Sequence, residues 1–304
     1  MTQSDRAAPL ITLTTDFGLA DSYTAEMKGV IYGLNPGARI VDISHAVRPQ
    51  HLLQAVFLTQ SAWPAFPDGA THAVVVDPGV GTSRRAIALS TPRGYVVGPD
   101  NGVLSAALPD GARPSQQDGL TPIQLPPGYR AFAITNRRYL REPVSTTFHG
   151  RDVFAPAAAH LSLGVSAEEL GERVGTVLAF PPLQAQRRAG STLAGRVLHI
   201  DHFGNAVTDA RAEDLPTGPF HVQLSGRRIP GPARSYAEAQ GPVALVGGSG
   251  YLEIAQPNGS AAETLNIHIG DPVLIQPQSS SGSIGAKEEP HDARTEYPFK
   301  GGTH

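Results

Sequence analysis

Short hydrophobic runs and segments of helical periodicity alternate along the first 180 residues. Runs rich in Val, Ile, Leu and Ala predict buried strands at 10–14, 39–43, 74–76, 86–90, 94–98 and 131–135. Apolar residues spaced three and four apart predict helices over 23–34 and from residue 52 to just before Trp63. This order is typical of a mainly parallel sheet with helices on its faces. We therefore predict an N-terminal α/β domain over residues 8–180.

The pattern changes beyond residue 180. Residues 181–191 are rich in Pro, Gln, Arg and Gly, which predicts a linker. After them, alternating runs separated by Gly, Pro and Asn predict short strands at 195–200, 206–208, 220–224, 243–246 and 251–254. Almost no helical period occurs among them, so we expect a small all-β, barrel-like domain over residues 192–277. The polar residues 278–304 have little to bury and are expected to form a disordered tail.

Two further segments of the N-terminal half are distinctive. Residues 109–128 contain Pro, Gly, Gln and Asp without periodicity, which predicts a surface loop. Residues 153–163 are rich in alanine and predict a buried helix with its proline in the first turn. Asp152 directly precedes this helix and is expected to cap it.

Composition excludes several classes of function. The chain has 304 residues, 40% hydrophobic and 17% charged, with a net charge of −3, so nothing favours nucleic acid or an anionic membrane surface as a partner. It has no cysteine, which excludes disulfides, thiolate catalysis and metal–thiolate sites. No membrane span and no basic, apolar leader are visible in the sequence. The expectation is a cytoplasmic protein.

A polar motif follows the run at 74–76. Asp77 comes directly after this run, and a turn of proline and glycine brings Arg84 back seven residues later. With His149, this carboxylate and guanidinium could hold and polarise a water molecule at the edge of the sheet. The alternative is a loop ion pair and a histidine that serves only the backbone, and for each residue alone that alternative is favoured. No metal-ligand spacing is present, so no metal is expected.

Other polar residues stand at predicted strand ends in both halves. Asp16 and Asp21 follow the first strand, where acids can accept ribose hydroxyls or pair with an ammonium group, or can simply form a turn. No GxGxxG follows that strand, which argues against a dinucleotide. In the second half, Asp201, Phe203 and Asn205 offer an anion, an aromatic face and an amide to an amino group and a purine, or form an ordinary β-turn. The glycine-rich segment 247–250 allows the same two interpretations.

Eight motifs in matching order carry a resemblance to a known family. They are TTDFG at 14–18, MKGVIYGLNP at 27–36, DISH at 42–45, DPGVGTSRR at 77–85, GPDNG at 98–102, TFHGRD at 147–152, DHFGN at 201–205 and GYLEIA at 250–255. Over residues 10–277 the chain resembles the S-adenosyl-L-methionine (SAM) hydroxide adenosyltransferases, the adenosine-forming SAM hydrolases, which are related to fluorinase and chlorinase. The tail lies outside the resemblance.

This resemblance implies a metal-independent enzyme without a cofactor, in which SAM is the substrate and water or hydroxide attacks the ribose C5′ to give adenosine and L-methionine. It implies a homotrimer whose active sites lie between the N-terminal domain of one subunit and the C-terminal domain of the next. The residues it assigns are a water-activating triad and a set of substrate contacts. The triad is Asp77, Arg84 and His149. The contacts are Asp16 at the ribose, Asp21, Asp201 and Ser249 near the methionine end, and Phe203 and Asn205 at the adenine.

Two other functions are compatible with parts of this pattern. Halogenases of the same superfamily lack the Arg and His of the triad, and fluorinase has a serine where Gly150 stands, so Arg84, His149 and Gly150 favour hydroxide over halide. A non-catalytic SAM or adenosine sensor would keep Asp16, Asp201 and Asn205 without needing the triad.

Overall fold

The computed structural model describes residues 9–278, apart from the side chain of residue 238. The predicted disordered tail therefore lies outside the described residues, except for Gln278. Within the described range, the N-terminal half contains α1 (Tyr23–Leu34), α2 (Leu52–Ala62) and α3 (Ala155–Ser162). Its strands are β1 (Leu10–Thr15), β2 (Arg39–Ser44), β3 (Ala70–Val75), β4 (Ala86–Thr91), β5 (Gly94–Pro99), β6 (Thr121–Gln124), β7 (Arg130–Ala133), β8 (Arg173–Val174) and β9 (Thr176–Ala179).

The N-terminal sheet has the strand order β2-β1-β3-β5-β4-β7-β8. The pairs β1–β2, β1–β3 and β3–β5 are parallel, whereas β4, β7 and β8 extend the sheet with antiparallel pairs. Helices α1 and α3 pack on one face of this sheet, and α2 packs on the other. The predicted α/β domain with a parallel sheet is confirmed. Its central strand β3 is buried along its whole length, as the apolar run indicates.

The C-terminal half forms an antiparallel sheet ordered β14-β13-β17-β11-β12-β16-β15, with β10 paired to β11. Its backbone curves so that residue Ala233, just after β14, bridges Leu245 of β15, which nearly closes the sheet into a barrel. The predicted barrel-like all-β domain is confirmed. Its elements are β10 (Gln186–Arg187), β11 (Leu193–Ile200), β12 (Ala206–Arg211), β13 (Phe220–Leu224), β14 (Arg227–Gly231), β15 (Val243–Val246), β16 (Tyr251–Ala255), α4 (Ala261–Leu265) and β17 (Pro272–Pro277).

Two local expectations were wrong. Residues 109–128 are not irregular throughout, because β6 within them pairs with β9, more than 50 residues further along the chain. Pro122 hides this strand in the sequence, and a two-stranded ribbon tolerates proline because its outer edge needs no donor. Asp152 does not cap a helix; it lies inside a turn of π-helix, Gly150–Phe154, that precedes α3. Its buried carboxylate instead accepts hydrogen bonds from Arg141, Arg151 and the backbone of Ser145.

The two halves of the chain pack against each other through α2 and the C-terminal sheet. Phe57 and Val56 contact Leu198 and Tyr251 in one buried apolar cluster, and Gln54 Nε2 lies 2.8 Å from His199 Nδ1. The predicted linker, 181–191, includes β10, so its second half already contributes to the C-terminal sheet. The exact domain limits stay a prediction. None of the described helices is both long and apolar enough to cross a bilayer.

Candidate active site

A cavity of about 340 Å³ opens where β1 and β3 end. These two strands are parallel neighbours, and Thr15 pairs with Val75 at their last residues. The side chains that follow the strands, Asp16 and Asp77, therefore face the same cavity. The other lining residues are Phe17, Tyr23, Pro49, Gln50, Val75, Pro78, Val80, Thr147, Phe148, His149 and Gly150.

The residues predicted as a triad are in contact with one another. Arg84 Nε donates to both Asp77 oxygens, at 2.9 and 3.0 Å, and Arg84 Nη2 also pairs with Asp77 Oδ2. The same Nη2 lies 2.7 Å from His149 Nδ1. Only 10% of the Arg84 side chain and 6% of the Asp77 side chain are exposed, so this ion pair is largely shielded from water. A carboxylate thus orients a guanidinium, which in turn contacts an imidazole in the cavity wall.

Backbone packing brings the Arg84 loop against the segment that carries His149. Gly81 has φ of +77°, and a Cβ there would lie 2.3 Å from the carbonyl oxygen of Thr146. Only glycine permits this approach, because a side chain would collide with backbone that cannot rotate away. The Arg84 guanidinium also stacks 5.3 Å from the centre of the Phe154 ring, next to α3. Contacts from both sides therefore fix the position of Arg84.

The surroundings of His149 favour its neutral form. Burial and the nearby positive charge of Arg84 lower the pKa of His149, while the carboxylates of Asp77 and Asp152 oppose this shift. Because a guanidinium can only donate, Nδ1 accepts in the Arg84 contact, and in the neutral ring the proton is on Nε2. The imidazole is therefore uncharged at neutral pH, with its lone pair directed at Arg84.

Asp16 is held by the backbone of a neighbouring loop. Its Oδ2 accepts a hydrogen bond of 2.7 Å from the backbone nitrogen of Gln50. Burial raises the pKa of Asp16, the hydrogen bond from Gln50 lowers it, and the Asp77 carboxylate adds to the increase; the net direction is upward. The backbone N–H of Asp16 itself also lowers this pKa by a hydrogen bond to the carboxylate.

Sequence reasoning missed the aromatic wall of this cavity. The rings of Phe17, Tyr23 and Phe148 pack edge to face, with centroids 5.1 to 5.9 Å apart. Phe17 and Phe148 lie within two of the eight motifs, which was the available signal for them, whereas Tyr23 lies in none. A flat apolar surface beside Asp16 suits the face of a sugar or a thioether chain.

A second cavity, of about 590 Å³, lies in the C-terminal half and shares no lining residue with the first. Asp201, Phe203 and Asn205 all line it, as the sequence predicts for one binding surface. Asp201 Oδ1 accepts from the backbone nitrogens of Phe203 and Asn205, at 2.9 and 2.8 Å, so the carboxylate also shapes its own turn. The Phe203 ring is 74% exposed. An aromatic face presented in this way is free to stack on a planar ligand.

Two polar residues of the second cavity escaped the sequence analysis. Glu253 lines it from β16, and Tyr236 Oη donates to Glu253 Oε2 at 3.2 Å. Burial raises the pKa of Glu253, the Tyr236 hydrogen bond opposes this, and the Asp201 charge reinforces it. Glu253 lies among apolar residues of β16, all of them buried, so the sequence alone indicates only a strand.

Two predicted contact residues lie outside both cavities. Asp21 is exposed and lines neither of them. Ser249 is also exposed and lines a separate cavity of about 390 Å³ with Gln60 and Tyr251. Neither residue therefore lines a cavity together with Asp16 or Asp201. Among residues 9–278, no group of three or more His, Asp or Glu side chains is placed to hold a metal ion; metal independence stays a prediction.

Comparison with known proteins identifies the family of the chain. Residues 11–171 match the SAM hydroxide adenosyltransferase N-terminal domain, and residues 195–274 match the corresponding C-terminal domain. The chain belongs to the SAM hydroxide adenosyltransferase family. The resemblance inferred from the eight motifs is thereby confirmed, and each matched domain contains one of the two cavities.

Curated relatives of this SAM hydroxide adenosyltransferase include proteins named (R)-S-adenosyl-L-methionine hydrolase. One from Thermus thermophilus is 40% identical over 86% of this chain and 97% of its own length. Another from Methanocaldococcus jannaschii is 31% identical over 89% and 97%. A protein named fluorinase, from Nocardia brasiliensis, is more distant, at 26% identity over 91% and 99%.

Two solved structures share the fold. An uncharacterized conserved protein from Thermotoga maritima aligns with a TM-score of 0.75 at 30% identity, covering 88% of this chain and 99% of the other. A conserved hypothetical protein from Thermus thermophilus aligns with a TM-score of 0.66 at 40% identity, covering 88% and 100%. Both halves of the fold are therefore present in these relatives.

Proposed function

We propose that this protein hydrolyses S-adenosyl-L-methionine to adenosine and L-methionine by attack of water or hydroxide at the ribose C5′. The observation that carries the proposal is the contact of Arg84 with both Asp77 and His149, the two members of the triad that line the first cavity. The names of relatives at 31 to 40% identity support the same reaction.

The reaction suits a site that holds a nucleophile in a fixed position beside a fixed charged group. A sulfonium is a cationic leaving group, so the C5′–S bond breaks with its electron pair on sulfur and releases a neutral thioether. The enzyme must mainly hold a nucleophile in line with that bond, in surroundings that exclude other water. A neutral imidazole and a fixed guanidinium can do this without adding an acid for the leaving group.

The proton transfer follows from the 2.7 Å contact between Arg84 Nη2 and His149 Nδ1. While that contact persists, His149 has no free lone pair. We infer that the nucleophilic water inserts between the two side chains, accepts a hydrogen bond from Arg84 and gives its proton to Nδ1 as its oxygen bonds to C5′. The imidazolium then releases this proton to solvent. Asp77 keeps Arg84 oriented throughout.

Substrate binding is divided between the two cavities in this proposal. Asp16 accepts the ribose hydroxyls, Phe203 stacks on the adenine, Asn205 contacts its edge, and Asp201 lies near the methionine end. The two cavities share no lining residue within one chain, which is compatible with the intersubunit active site that the family resemblance implies. We propose a homotrimer in which the first cavity of one subunit faces the second cavity of its neighbour, and in which Asp21 and Ser249 join the site.

The experiment that tests the reaction is incubation of the purified full chain with SAM in water enriched in oxygen-18, with and without chloride. The expected products are L-methionine and adenosine that carries the label at the 5′-hydroxyl. Formation of 5′-chloroadenosine would assign halide as the nucleophile. Bound but unreacted SAM would replace the proposal with a sensor, and unlabelled adenosine would exclude attack by water at C5′.

A further inference from the structure

A line of polar side chains runs beneath the Asp16 loop, outside the cavity itself. It begins at Lys28 on α1, whose Nζ lies 2.6 Å from Asp42 Oδ2. Asp42 Oδ1 lies 3.0 Å from Nε2 of His45, and His45 Nδ1 lies 2.8 Å from the Thr15 hydroxyl. Thr15 is the last residue of β1 and directly precedes Asp16. The DISH motif thus reaches the residue next to the proposed ribose ligand.

The contacts on the two sides of the His45 ring differ in kind. The Thr15 hydroxyl oxygen accepts the backbone N–H of Phe17 at 3.3 Å and lies 2.8 Å from His45 Nδ1, a contact in which either group can donate. On the other side, Nε2 lies 3.0 Å from Asp42 Oδ1, but the two atoms are not aligned as a hydrogen bond. Burial raises the pKa of Asp42, but the hydrogen bond from Lys28 and the neighbouring His45 outweigh it and lower that pKa. Asp42 therefore stays anionic beside the imidazole.

His45 holds both ends of the loop that carries Asp16. Its ring holds the Thr15 side chain at the start of the loop, and its carbonyl oxygen accepts a 2.8 Å hydrogen bond from Gly18 N at the end. The His45 side chain is only 3% exposed and does not line the cavity, so it has no direct route to a ligand. Asp16 itself has a further anchor in Gln50 N, but that contact fixes Oδ2 alone.

We propose that His45 is a positioning residue that sets the direction of the Asp16 carboxylate and thereby the affinity of the site for ribose hydroxyls. The inference rests on the proposed function, in which Asp16 accepts those hydroxyls. It attributes to the DISH motif a role in recognition of the sugar rather than in the chemical step. A small rotation of the Asp16 carboxylate would break its hydrogen bond with a ribose hydroxyl. Hydrogen bonds to charged groups are among the stronger single contacts of a binding site.

The structure offers a matched control on the same strand. His72 Nδ1 lies 2.7 Å from the hydroxyl of Thr12, which is three residues before Thr15 on β1, so the same type of side-chain pair recurs there. His72 is buried like His45, but it stacks on Trp63 and pairs with the middle of β1 rather than with its end at Asp16. Replacing His72 therefore costs stability without disturbing the Asp16 loop.

The test compares the dissociation constants of adenosine and 2′,3′-dideoxyadenosine, measured by calorimetry on the full chain. Asp16→Asn should weaken adenosine binding by roughly tenfold or more and leave the dideoxy analogue unchanged. His45→Gln, which can reach Asp42 but not Thr15, should weaken adenosine about three- to tenfold with the same selectivity. His45→Asn can still accept from Thr15 and should retain most of the affinity. His72→Gln should affect both ligands equally or neither.

Each alternative outcome has a distinct meaning. If Asp16→Asn is selective but His45→Gln weakens both ligands equally or has no effect, the positioning role is wrong and the proposed function is untouched. If Asp16→Asn itself is not selective, the ribose assignment fails and the inference fails with it. Should His45→Gln not fold, Thr15→Val removes the same hydrogen bond from its other end and must give the same selective loss; an unselective loss contradicts the proposal.

Discussion

The two cavities of this protein differ in how far their side chains are already paired. In the first cavity, Asp77, Arg84 and His149 satisfy one another, and the charged pair is nearly hidden from water. In the second cavity, the Phe203 ring is 74% exposed, and Asp201 mainly shapes its own turn. One site is preorganised for chemistry, whereas the other presents a surface that a planar ligand would cover.

This contrast indicates that the two cavities have different roles. Buried, mutually oriented charges cost stability to maintain and are useful where charge develops during a reaction. An exposed aromatic face costs little in the free protein and gains contact area when a base stacks on it. Changes in the first cavity should therefore act on turnover, and changes in the second on affinity.

The largest expected effect comes from His149→Ala. Loss of the proton acceptor should lower kcat by roughly 10² to 10⁴-fold while KM changes little, because the imidazole contacts the water rather than the substrate body. Steady-state kinetics with SAM measures both constants. His160→Ala is the control: this half-buried histidine on α3 packs on Tyr139 and should leave kcat within about twofold. Equal loss of kcat and affinity in His149→Ala would assign this residue to binding.

Asp77→Asn should give the next largest effect, on stability. The amide keeps the size of the side chain but leaves Arg84 as a buried cation without its counterion, so the free energy of unfolding should fall by about 3 kcal/mol. Urea denaturation measures this change. Asp68→Asn is the control, because the Asp68–Arg93 pair is exposed and should cost less than about 1 kcal/mol. Similar losses for both variants would mean that the first cavity is as solvated as the surface.

Phe203→Ala tests the role of the second cavity in affinity. Loss of base stacking should weaken adenosine binding by roughly 5- to 100-fold, with kcat at saturation changed far less. Calorimetry and saturation kinetics separate the two effects. Leu163→Ala removes a similarly exposed apolar side chain, which is 53% exposed at the end of α3, and should change neither. A fall in kcat larger than the loss of affinity would contradict the division between cavities.

The smallest expected effect is on pH dependence. Because burial and Arg84 lower the pKa of His149 below 6.5, its neutral form persists to a lower pH than in a free imidazole. The value of kcat/KM, which reports groups of the free protein, should be close to its plateau above about pH 7 and fall as the pH drops through the lowered pKa, with less than about tenfold loss at pH 5.5. His149→Ala should lack this acid limb. A midpoint above 6.5 would show that a different group controls the reaction.

The sequence predicts the fold well where pattern and environment agree. The run at 74–76 belongs to a fully buried central strand, and alternating runs beyond residue 192 form the barrel-like sheet. Strand β6 could not be predicted, because its partner β9 is distant in the chain and Pro122 conceals the pattern. Asp152 could not be distinguished from a helix cap either, since its partners Arg141 and Ser145 come from the preceding loop.

The candidate site was less predictable from the sequence than the fold. Single residues such as His149 have an ordinary structural interpretation, and only the matching order of eight motifs favours the catalytic one. The aromatic wall of Phe17, Tyr23 and Phe148 depends on packing between α1, the Asp16 loop and the turn before α3, which no local pattern contains. Asp21 and Ser249 line neither the first nor the second cavity in one chain, and their proposed contribution rests on the proposed second copy.

The central claim is that one active site combines the first cavity of one copy with the second cavity of another. Subunit mixing tests this claim most directly. A His149→Ala variant, which lacks turnover, and a Phe203→Ala, Asn205→Ala double variant, which lacks affinity, would be unfolded together and refolded in equal amounts. Adenosine formation would be assayed at a SAM concentration far below the KM of the double variant, where each variant alone has little activity. Random assembly of a cyclic trimer makes about a quarter of the sites intact, so activity should return to roughly that fraction of the unmutated protein. No recovery, although mixed oligomers form, would contradict the account.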